Sequence, residues 1–371
     1  MKISAMKLNY PCRARDLEYQ IPNTQQLQSS RSTEEMTSQR SLRLLQKLAN
    51  VTQQSFRLSH GQSSSTSLKT LTKHYDEVSI PVPWGHIAGK WYGPKHVRPI
   101  LGMHGWQDNA GTFDTLAPLL PQHLSFLSID APGHGHSSWL PPGVMYHSID
   151  YVQLVLRIME EYNWKKVSIM AHSMSSINGF VFASLFPDKV DMFIGLDILK
   201  PLIRSPKHIV NALSERLADS LKLERRLRSG SEPPAYEWDQ LVERLHQGTD
   251  KSVDLEACKY LLQRNSKPSS HEPHKYYFSR DNRLKNSLFY TLSNEIVLEM
   301  ASHITAPHLF IKALQASYYE DKKYYDSALA VLRQNPNFEY HEVDGTHHVH
   351  LNEPEKVAHI INSFINKCRP L

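Results

Sequence analysis

The amino-acid sequence predicts an α/β fold, in which a mostly parallel central sheet is flanked by helices and a helical cap is inserted late in the chain. Short apolar runs alternate with helix-like segments from about residue 76 to residue 200. This alternation is typical of a parallel sheet that is buried on both faces. About 100 residues of charged, helix-like sequence without a clear strand follow, before strand-like runs resume. The interruption predicts a helical lid that is inserted in the chain between two strands of the sheet.

The first elements of this pattern are a hairpin and four buried strands. The segment "DEVSIPVPWGHIAGKWYG" predicts two short strands joined at residues 83–85. The later strands are predicted from short apolar runs, and these are "RPILGMHGW", "HLSFLSID", "KKVSIMAHS" and "VDMFIGLD". Such runs are consistent with strands that face no solvent.

Helices are predicted between these strands and at the end of the chain. In "IDYVQLVLRIMEEYNW" the apolar residues recur at one-face helical spacing, and "INGFVFASLF" predicts a helix that stops before Pro187. After the charged segment, "PHLFIKAL" and "FEYHEVDG" predict two more strands, and "PEKVAHIINSFINK" predicts the last helix. We therefore expect an extension at 1–74, a core at 75–200 and 302–371, and a cap at 201–301.

Composition limits the class of protein. The chain has 371 residues, of which 40% are apolar, and this is enough for one large α/β domain with additional segments. No apolar run reaches the roughly 20 residues that a membrane-spanning helix needs, so we expect no transmembrane segment. The three cysteines, Cys12, Cys258 and Cys368, are far apart. This spacing argues against a disulfide framework and favours an intracellular location.

The basic excess of the chain lies in its N-terminal extension. Residues 1–74 contain 11 Lys and Arg against 4 Asp and Glu, whereas the remaining residues contain 31 against 33. We therefore expect no nucleic-acid binding by the folded body. The polar, Ser/Thr-rich extension predicts disorder. The alternative is a targeting segment, since Ser41–Leu58 is basic and amphipathic.

The predicted location is cytoplasmic rather than mitochondrial. The extension carries acidic residues, Asp16 and Glu18, before its amphipathic stretch, and mitochondrial presequences are poor in acidic residues. The last three residues are Arg369-Pro370-Leu371, which do not form a peroxisomal signal of the S-K-L type.

One strand-to-helix junction carries a candidate nucleophile, Ser173. The sequence around it reads Ala171-His172-Ser173-Met174-Ser175, a variant of the G-x-S-x-G turn that exposes a serine above a sheet. Both glycines are replaced. The turn needs small residues where the helix packs back on the strand, and Ala171 and Ser175 are small. An ordinary serine at a helix start is the alternative.

Two loops supply candidate partners for this serine. In "HGW", the Gly105 position lets the backbone N–H of Trp106 point into a site, where it and the N–H of Met174 form a candidate oxyanion hole. In "DGTHHVHLNEP" a histidine after the last strand is a candidate general base. His347 and His348 compete for this role. In similar loops of related proteins a proline commonly lies seven residues after the base, and Pro354 lies seven residues after His347, which favours His347.

A metal site at His347, His348 and His350 is disfavoured because their spacing suits a loop rather than a tetrahedral site. We therefore predict no metal. The "DAPGHGHS" loop, residues 130–137, is interpreted as a structural border of the pocket.

Several segments together resemble the serine hydrolase-like (kraken-type) branch of the α/β-hydrolases. They are "HGWQDNAGTF", "SIDAPGHGHSS", "AHSMSS", "GLDILKP" and "HHVHLNEPEKV". The resemblance covers roughly residues 76–366. It implies a capped α/β-hydrolase without a cofactor, whose natural substrates are poorly defined. The candidate serine, histidine and oxyanion residues themselves predict a serine hydrolase that cleaves a small-molecule ester or related acyl substrate through an acyl-enzyme on Ser173. The oligomeric state is left open.

The triad acid has two candidate positions. Asp197, in "DILKP", resembles the acid of haloalkane dehalogenase relatives, where an apolar pair, a basic residue and a proline follow the acid. Glu320 or Asp321 follows the next strand, where most members of the superfamily carry the acid. We favour Asp197, whose role would be to hold the tautomer of His347.

Two other functions remain open. The missing elbow glycines are compatible with a catalytically inactive binding protein of the same fold. A carbon–carbon bond hydrolase is the second alternative, and it would need a basic residue for a substrate carboxylate. In the cap, Tyr236 and Trp238 are candidates for lining an acyl pocket, against ordinary helix packing.

Overall fold

A computed structural model describes residues 74–228, 230 and 232–369. Except for His74, the extension predicted at residues 1–74 lies outside the described residues. The predictions of disorder and of a targeting role for this extension therefore concern residues that the structure does not describe. In chain order the strands are β1 (Tyr75–Val82), β2 (Gly85–Tyr92), β3 (Ile100–Met103), β4 (Phe126–Ile129), β5 (Val167–His172), β6 (Val190–Leu196), β7 (Ser266–Pro268), β8 (Tyr276–Phe278), β9 (His308–Ala313) and β10 (Phe338–Val343). The helices are α1 (Ser148–Glu161), α2 (Met174–Leu185), α3 (Pro206–Arg228), α4 (Trp238–Gly248), α5 (Cys258–Asn265), α6 (Asn294–Ser302), α7 (Lys322–Leu332), α8 (Val349–Asn352) and α9 (Glu355–Cys368).

Eight strands form the central sheet in the order β1-β2-β4-β3-β5-β6-β9-β10. The hairpin strands β1 and β2 pair antiparallel, β2 is antiparallel to β4, and the remaining pairs are parallel. The predicted fold class is therefore confirmed. Because β5, β6 and β10 run in the same direction, the loops that follow them open at the same edge of the sheet.

The core consists of two apolar layers on opposite faces of the sheet. One layer includes side chains of α1, α2, α6 and α7, such as Val155, Phe180 and Val297. The other is built largely by α9 and the short 3-10 helix at Ala110–Phe113. Both faces are covered, which explains why the residues of β3, β4, β5 and β9 are buried without alternation.

The segment between β6 and β9 forms most of the predicted cap. It contains α3, α4 and α5, as well as a two-stranded ribbon of β7 and β8. The ribbon was not predicted because each strand has only three residues, too few to show a period. Helix α6 packs against α2 and α7, so it belongs to the layer of helices that flanks the sheet.

A buried arginine fastens the cap to the core. Arg264 of α5 donates from Nε and Nη2 to the carboxylate of Asp130, with Nη2 2.6 Å from Oδ2, and from Nη1 to Glu77 of β1. The same carboxylate accepts the backbone N–H groups of Ala110 and His136. Asp130 begins the "DAPGHGHS" loop, so this motif holds three segments together. The loop has the expected structural role, but its residues are not among those that line the pocket above Ser173.

No helix of the described residues is long and apolar enough to cross a membrane.

We predict that Arg264→Met lowers the free energy of unfolding by about 3–5 kcal/mol, because it leaves the buried Asp130 carboxylate without its counter-charge. Urea denaturation followed by tryptophan fluorescence measures this change. Lys222→Met is the control, since it removes an exposed ion pair with Asp219 and should leave the midpoint unchanged. Equal effects of the two substitutions would show that Arg264 does not hold the cap.

Candidate active site

Ser173 occupies the sharp turn between β5 and α2. Its backbone has φ 54° and ψ −119°, a conformation that is strained for a residue with a side chain. The side chain of Ser175, the second residue of α2, is buried and donates to the carbonyl of His104, 2.5 Å away. Ala171 is also fully buried, in β5. Both replacements for the elbow glycines therefore fit a close-packed turn.

A glycine of the neighbouring strand makes room for this turn. A Cβ at Gly195 of β6 would lie 2.6 Å from the Oγ of Ser176 in α2. The space that G-x-S-x-G usually provides within the turn is thus partly provided by the adjacent strand. A single-sequence motif does not reveal this, because the two residues meet only through the pairing of β5 with β6.

The structure brings Ser173, His347 and Asp197 into one hydrogen-bonded chain. The Nε2 of His347 is 2.8 Å from the Oγ of Ser173, and its Nδ1 hydrogen-bonds to Oδ2 of Asp197. The Asp197 carboxylate can only accept, so Nδ1 carries the proton and Nε2 is free to accept the serine proton. Asp197 is 4% exposed and Ser173 is 8% exposed, so this chain of bonds is shielded from bulk water.

A lysine that the sequence analysis did not single out supports Asp197 from the other side. Lys312 of β9 places Nζ 2.6 Å from Oδ1 of Asp197, and the N–H of Ala313 donates to the same oxygen. Burial by itself raises the pKa of Asp197. The hydrogen bond from His347 and the charge of Lys312 outweigh that effect, and the pKa lies below its usual value. Asp197 is therefore a carboxylate at neutral pH.

The two alternative acids lie elsewhere. The carboxylate of Glu320 is buried against Lys200, with Oε1 2.6 Å from Nζ, and it accepts the N–H of Ile203. Asp321 is exposed and caps the start of α7 through the N–H of Lys323. Among the described residues, therefore, the structure brings Asp197 to His347, and it brings neither Glu320 nor Asp321 there.

The candidate oxyanion residues lie beside Ser173. Trp106 and Met174 both line the same pocket as Ser173. Met174 is the first residue of α2, where a backbone N–H has no partner within the helix. The indole of Trp106 donates to the carbonyl of Leu284 at 2.9 Å. The tryptophan side chain thus fixes the loop that carries its backbone N–H.

Two buried histidines, which the sequence analysis did not assign, brace this loop. The N–H of Ala131 donates to Nε2 of His104, and the N–H of Gln107 donates to Nε2 of His134. Burial lowers the pKa of both histidines, so both rings stay neutral and can accept. A Cβ at Gly105 would approach Nδ1 of His172 to 2.9 Å, which explains the glycine in "HGW".

His348 is turned away from Ser173. Its Nε2 is 3.2 Å from Oδ2 of Asp108, and its Nδ1 is 2.8 Å from the Oγ of Ser252. His172 donates from Nε2 to the carbonyl of His347 at 2.9 Å, which ties the base loop to β5. Of the two histidines that competed for the general base, the structure brings His347 to the serine.

One group of side chains in the described residues has the composition of a metal site. Ligand atoms of Asp108, His172 and His348 lie within 4.8 Å of one another, and Zn²⁺ accepts such a set. The set differs from the His347, His348 and His350 group considered from sequence, since His350 binds Thr112 through Nε2. The hydrogen bond of His348 to Asp108 gives this cluster a structural role without an ion.

The pocket above Ser173 has a volume of about 600 Å³ and lies between the core and the cap. Its apolar walls come mostly from the cap and α2, and they include Ile177, Leu202, Ile209, Leu213, Phe278 and Phe289. Tyr236 and Trp238 are not among the lining residues. Tyr236 lies under the guanidinium of Arg244, and Trp238 packs edge-on against Tyr276, so the two aromatics have packing roles.

Comparison with known proteins identifies close relatives. A family model described as "alpha/beta hydrolase fold" matches residues 98–354. A Drosophila melanogaster protein named "Probable serine hydrolase" is 39% identical over 298 residues, which are 79% of this chain and 88% of the relative. A human protein named "Serine hydrolase-like protein 2" is 33% identical over 303 residues, 78% of this chain and 93% of the relative.

Solved structures share the fold. A hypothetical protein of Pseudomonas aeruginosa PAO1 has a TM-score of 0.66 and 28% identity, with 78% of this chain and 97% of that chain covered. A thioesterase domain from the curacin biosynthetic pathway has a TM-score of 0.63 and 21% identity, with 77% and 98% covered. At 21% identity, the similarity to the thioesterase domain shows only that the two proteins share a fold.

Proposed function

The chain belongs to the α/β-hydrolase superfamily and, within it, to the serine hydrolase-like proteins, and on this premise we propose that it cleaves a carboxylic ester or related acyl substrate through an acyl-enzyme on Ser173. The observation that carries the proposal is the hydrogen-bonded chain from Ser173 through His347 to Asp197. A serine at the elbow favours acyl transfer because an aspartate there would be required for dehalogenase or epoxide hydrolase chemistry.

Acylation begins with proton transfer within this chain. The Nε2 of His347 takes the proton of Ser173 as Oγ attacks the substrate carbonyl. The imidazole becomes an imidazolium, which the Asp197 carboxylate stabilises across the hydrogen bond at Nδ1. Lys312 and the N–H of Ala313 occupy Oδ1 of Asp197, so the carboxylate cannot turn away from the ring.

The tetrahedral intermediate places a negative charge on the former carbonyl oxygen. The backbone N–H groups of Trp106 and Met174 are the proposed donors to this oxygen, and one such donor lowers the barrier by roughly 3–4 kcal/mol. The imidazolium then returns its proton to the leaving group. A water molecule, activated by the same histidine, hydrolyses the acyl-enzyme and restores Ser173.

The alternative function is that of a binding protein that has the α/β-hydrolase fold but no catalytic activity. It was motivated by the two missing glycines, but the packing of Ala171, Ser175 and Gly195 leaves room for the turn. The serine also retains its partner within 2.8 Å. These contacts favour a reactive serine, and a fluorophosphonate probe discriminates the two functions, since only an activated serine reacts with it.

We predict that Ser173→Ala lowers kcat/KM for p-nitrophenyl butyrate by about 10⁴-fold or more, because the nucleophile is lost. The same variant should lose labelling by the fluorophosphonate probe. Ser184→Ala is the matched control, because Ser184 is a buried serine of the same helix whose Oγ donates only to the carbonyl of Val181. Undiminished hydrolysis by Ser173→Ala would refute the assignment.

We predict that Asp197→Asn lowers kcat by about 10³- to 10⁴-fold with little change in KM, because an amide no longer fixes the tautomer of His347 or stabilises its charged form. Asp321→Asn makes the same chemical change at an exposed helix cap, where asparagine also caps. It should retain wild-type kcat.

Glu320→Gln tests the remaining alternative, with circular dichroism as a check of folding, because this substitution leaves Lys200 unpaired. A loss of kcat in folded Glu320→Gln or in Asp321→Asn, together with normal kcat in Asp197→Asn, would reassign the triad acid.

A further inference from the structure

Arginines of the cap line the pocket without carboxylate partners. Four of them, Arg204, Arg216, Arg244 and Arg280, contribute to its walls. The arginine ion pairs among the described residues involve Arg98, Arg264 and Arg283 instead. A guanidinium that is removed from water without a counter-ion costs free energy. Arg204 and Arg244 are exposed, and Arg216 donates to the carbonyl of Ser287, so this cost falls mainly on Arg280, and a ligand with a negative charge would offset it.

Arg280 is the clearest case of the four. Its Nη1 is buried and has no hydrogen-bond partner among the described residues, although the side chain reaches the pocket wall. The Cζ atom lies 4.7 Å from the ring centroid of Phe278, on an apolar surface. This burial lowers the pKa of Arg280 to about 10, which still leaves the group charged at neutral pH.

The position of Arg280 is fixed beside the candidate oxyanion hole. Its Nε donates to Oε1 of Gln107 at 3.0 Å, and Gln107 directly follows Trp106 in the chain. The backbone N–H of Gln107 is held by His134. Because Nε is already used and Nη1 is buried, Nη2 is the nitrogen that remains to face a ligand. A guanidinium N–H donates a strong, charge-assisted hydrogen bond to a carboxylate oxygen.

The negative charges of the pocket do not neutralise these arginines. Two carboxylates, Asp108 and Asp250, also line it. Asp108 accepts from His348 and lies 3.5 Å from Nδ1 of His172. Its charge raises the pKa of Arg280, but burial outweighs this effect, and no ion pair joins the two residues among the described contacts. Asp197 faces His347 and Lys312. The four arginines therefore outnumber the two lining carboxylates, and the pocket has a positive balance.

We propose that the substrate is an acyl compound that carries a carboxylate close to the bond that is cleaved, and that Arg280 binds this carboxylate. A half-ester of a short dicarboxylic acid is the simplest member of the class. The identification of the substrate rests on the proposed hydrolase function, whereas the anion site itself does not. Hydrolysis of such a half-ester adds water across the ester bond and leaves the bound carboxylate unchanged.

The first test compares two substrates of equal chain length, monoethyl succinate and ethyl butyrate, by ethanol release. We expect the wild-type protein to prefer the half-ester, and Arg280→Met to lower the ratio of the two kcat/KM values by about 10- to 100-fold, since a bond to a charged group is lost. Arg280→Lys should recover part of the ratio. Arg333→Met is the control because Arg333 is exposed and lies outside the lining residues.

The second test measures binding of succinate itself by isothermal titration calorimetry. We expect a Kd at least tenfold weaker in Arg280→Met than in wild type and in Arg333→Met. This measurement needs no catalysis. The protein could bind succinate through Arg280 and yet neither hydrolyse esters nor react with a fluorophosphonate. That result would support the anion site and contradict the hydrolase proposal.

Two outcomes would overturn the inference. One is active protein whose substrate ratio and succinate Kd are unchanged by Arg280→Met. The other comes from a comparison of butyryl-coenzyme A with S-butyryl-N-acetylcysteamine. If Arg280→Met reduces only the preference for the coenzyme A thioester, Arg280 binds a phosphate of the leaving group, and the carboxylate assignment is wrong.

Discussion

The parallel pairing of β5, β6 and β9, with β10 beside β9, is the constraint on which the site depends. It directs the ends of β5, β6 and β10 to one edge of the sheet, so residues 173, 197 and 347 meet although they are 24 to 174 positions apart. A change of register by one residue in β6 would turn Asp197 to the other face of the sheet. The register is held in turn by two apolar layers, which makes the geometry of the site a consequence of core packing.

Two residues of the candidate site are among the strained backbone positions of the described residues. Ser173 and Asp197 both have positive φ, 54° and 67°, directly after their strands. Each turn is supported from neighbouring elements, since the N–H of Ser173 donates to the carbonyl of Leu196 and the N–H of Asp197 donates to that of Ile311. The strained residues are therefore bonded into the adjacent strands. This support explains how the elbow forms with alanine and serine where glycine is usual.

The candidate site residues that could be predicted from the sequence are those whose place depends on elements adjacent in the chain. Ser173 could be predicted because a strand, a turn of small residues and a helix are contiguous, and His347 because it follows the last strand. The choice of Asp197 over Glu320 depended on a resemblance, since both residues follow strands that end at the same edge. Lys312, Arg264 and Arg280 could not be predicted, because each acquires its role from a partner between 115 and 187 positions away. The ribbon of β7 and β8 was likewise too short to leave a periodic signal.

The core and the cap differ in how their charged side chains are paired. On the core side, the buried carboxylates have partners within the chain: Asp197 has Lys312 and His347, and Asp108 has His348. Arg264 of the cap is matched as well, because it is part of the attachment to Asp130. Arg280, which faces the pocket, has no carboxylate partner among the described ion pairs, and its Nη1 is buried without a hydrogen bond. Under the proposed function, bond cleavage therefore takes place at the sheet edge, where the charged groups already have partners, and the substrate is selected by the face of the cap that lines the pocket.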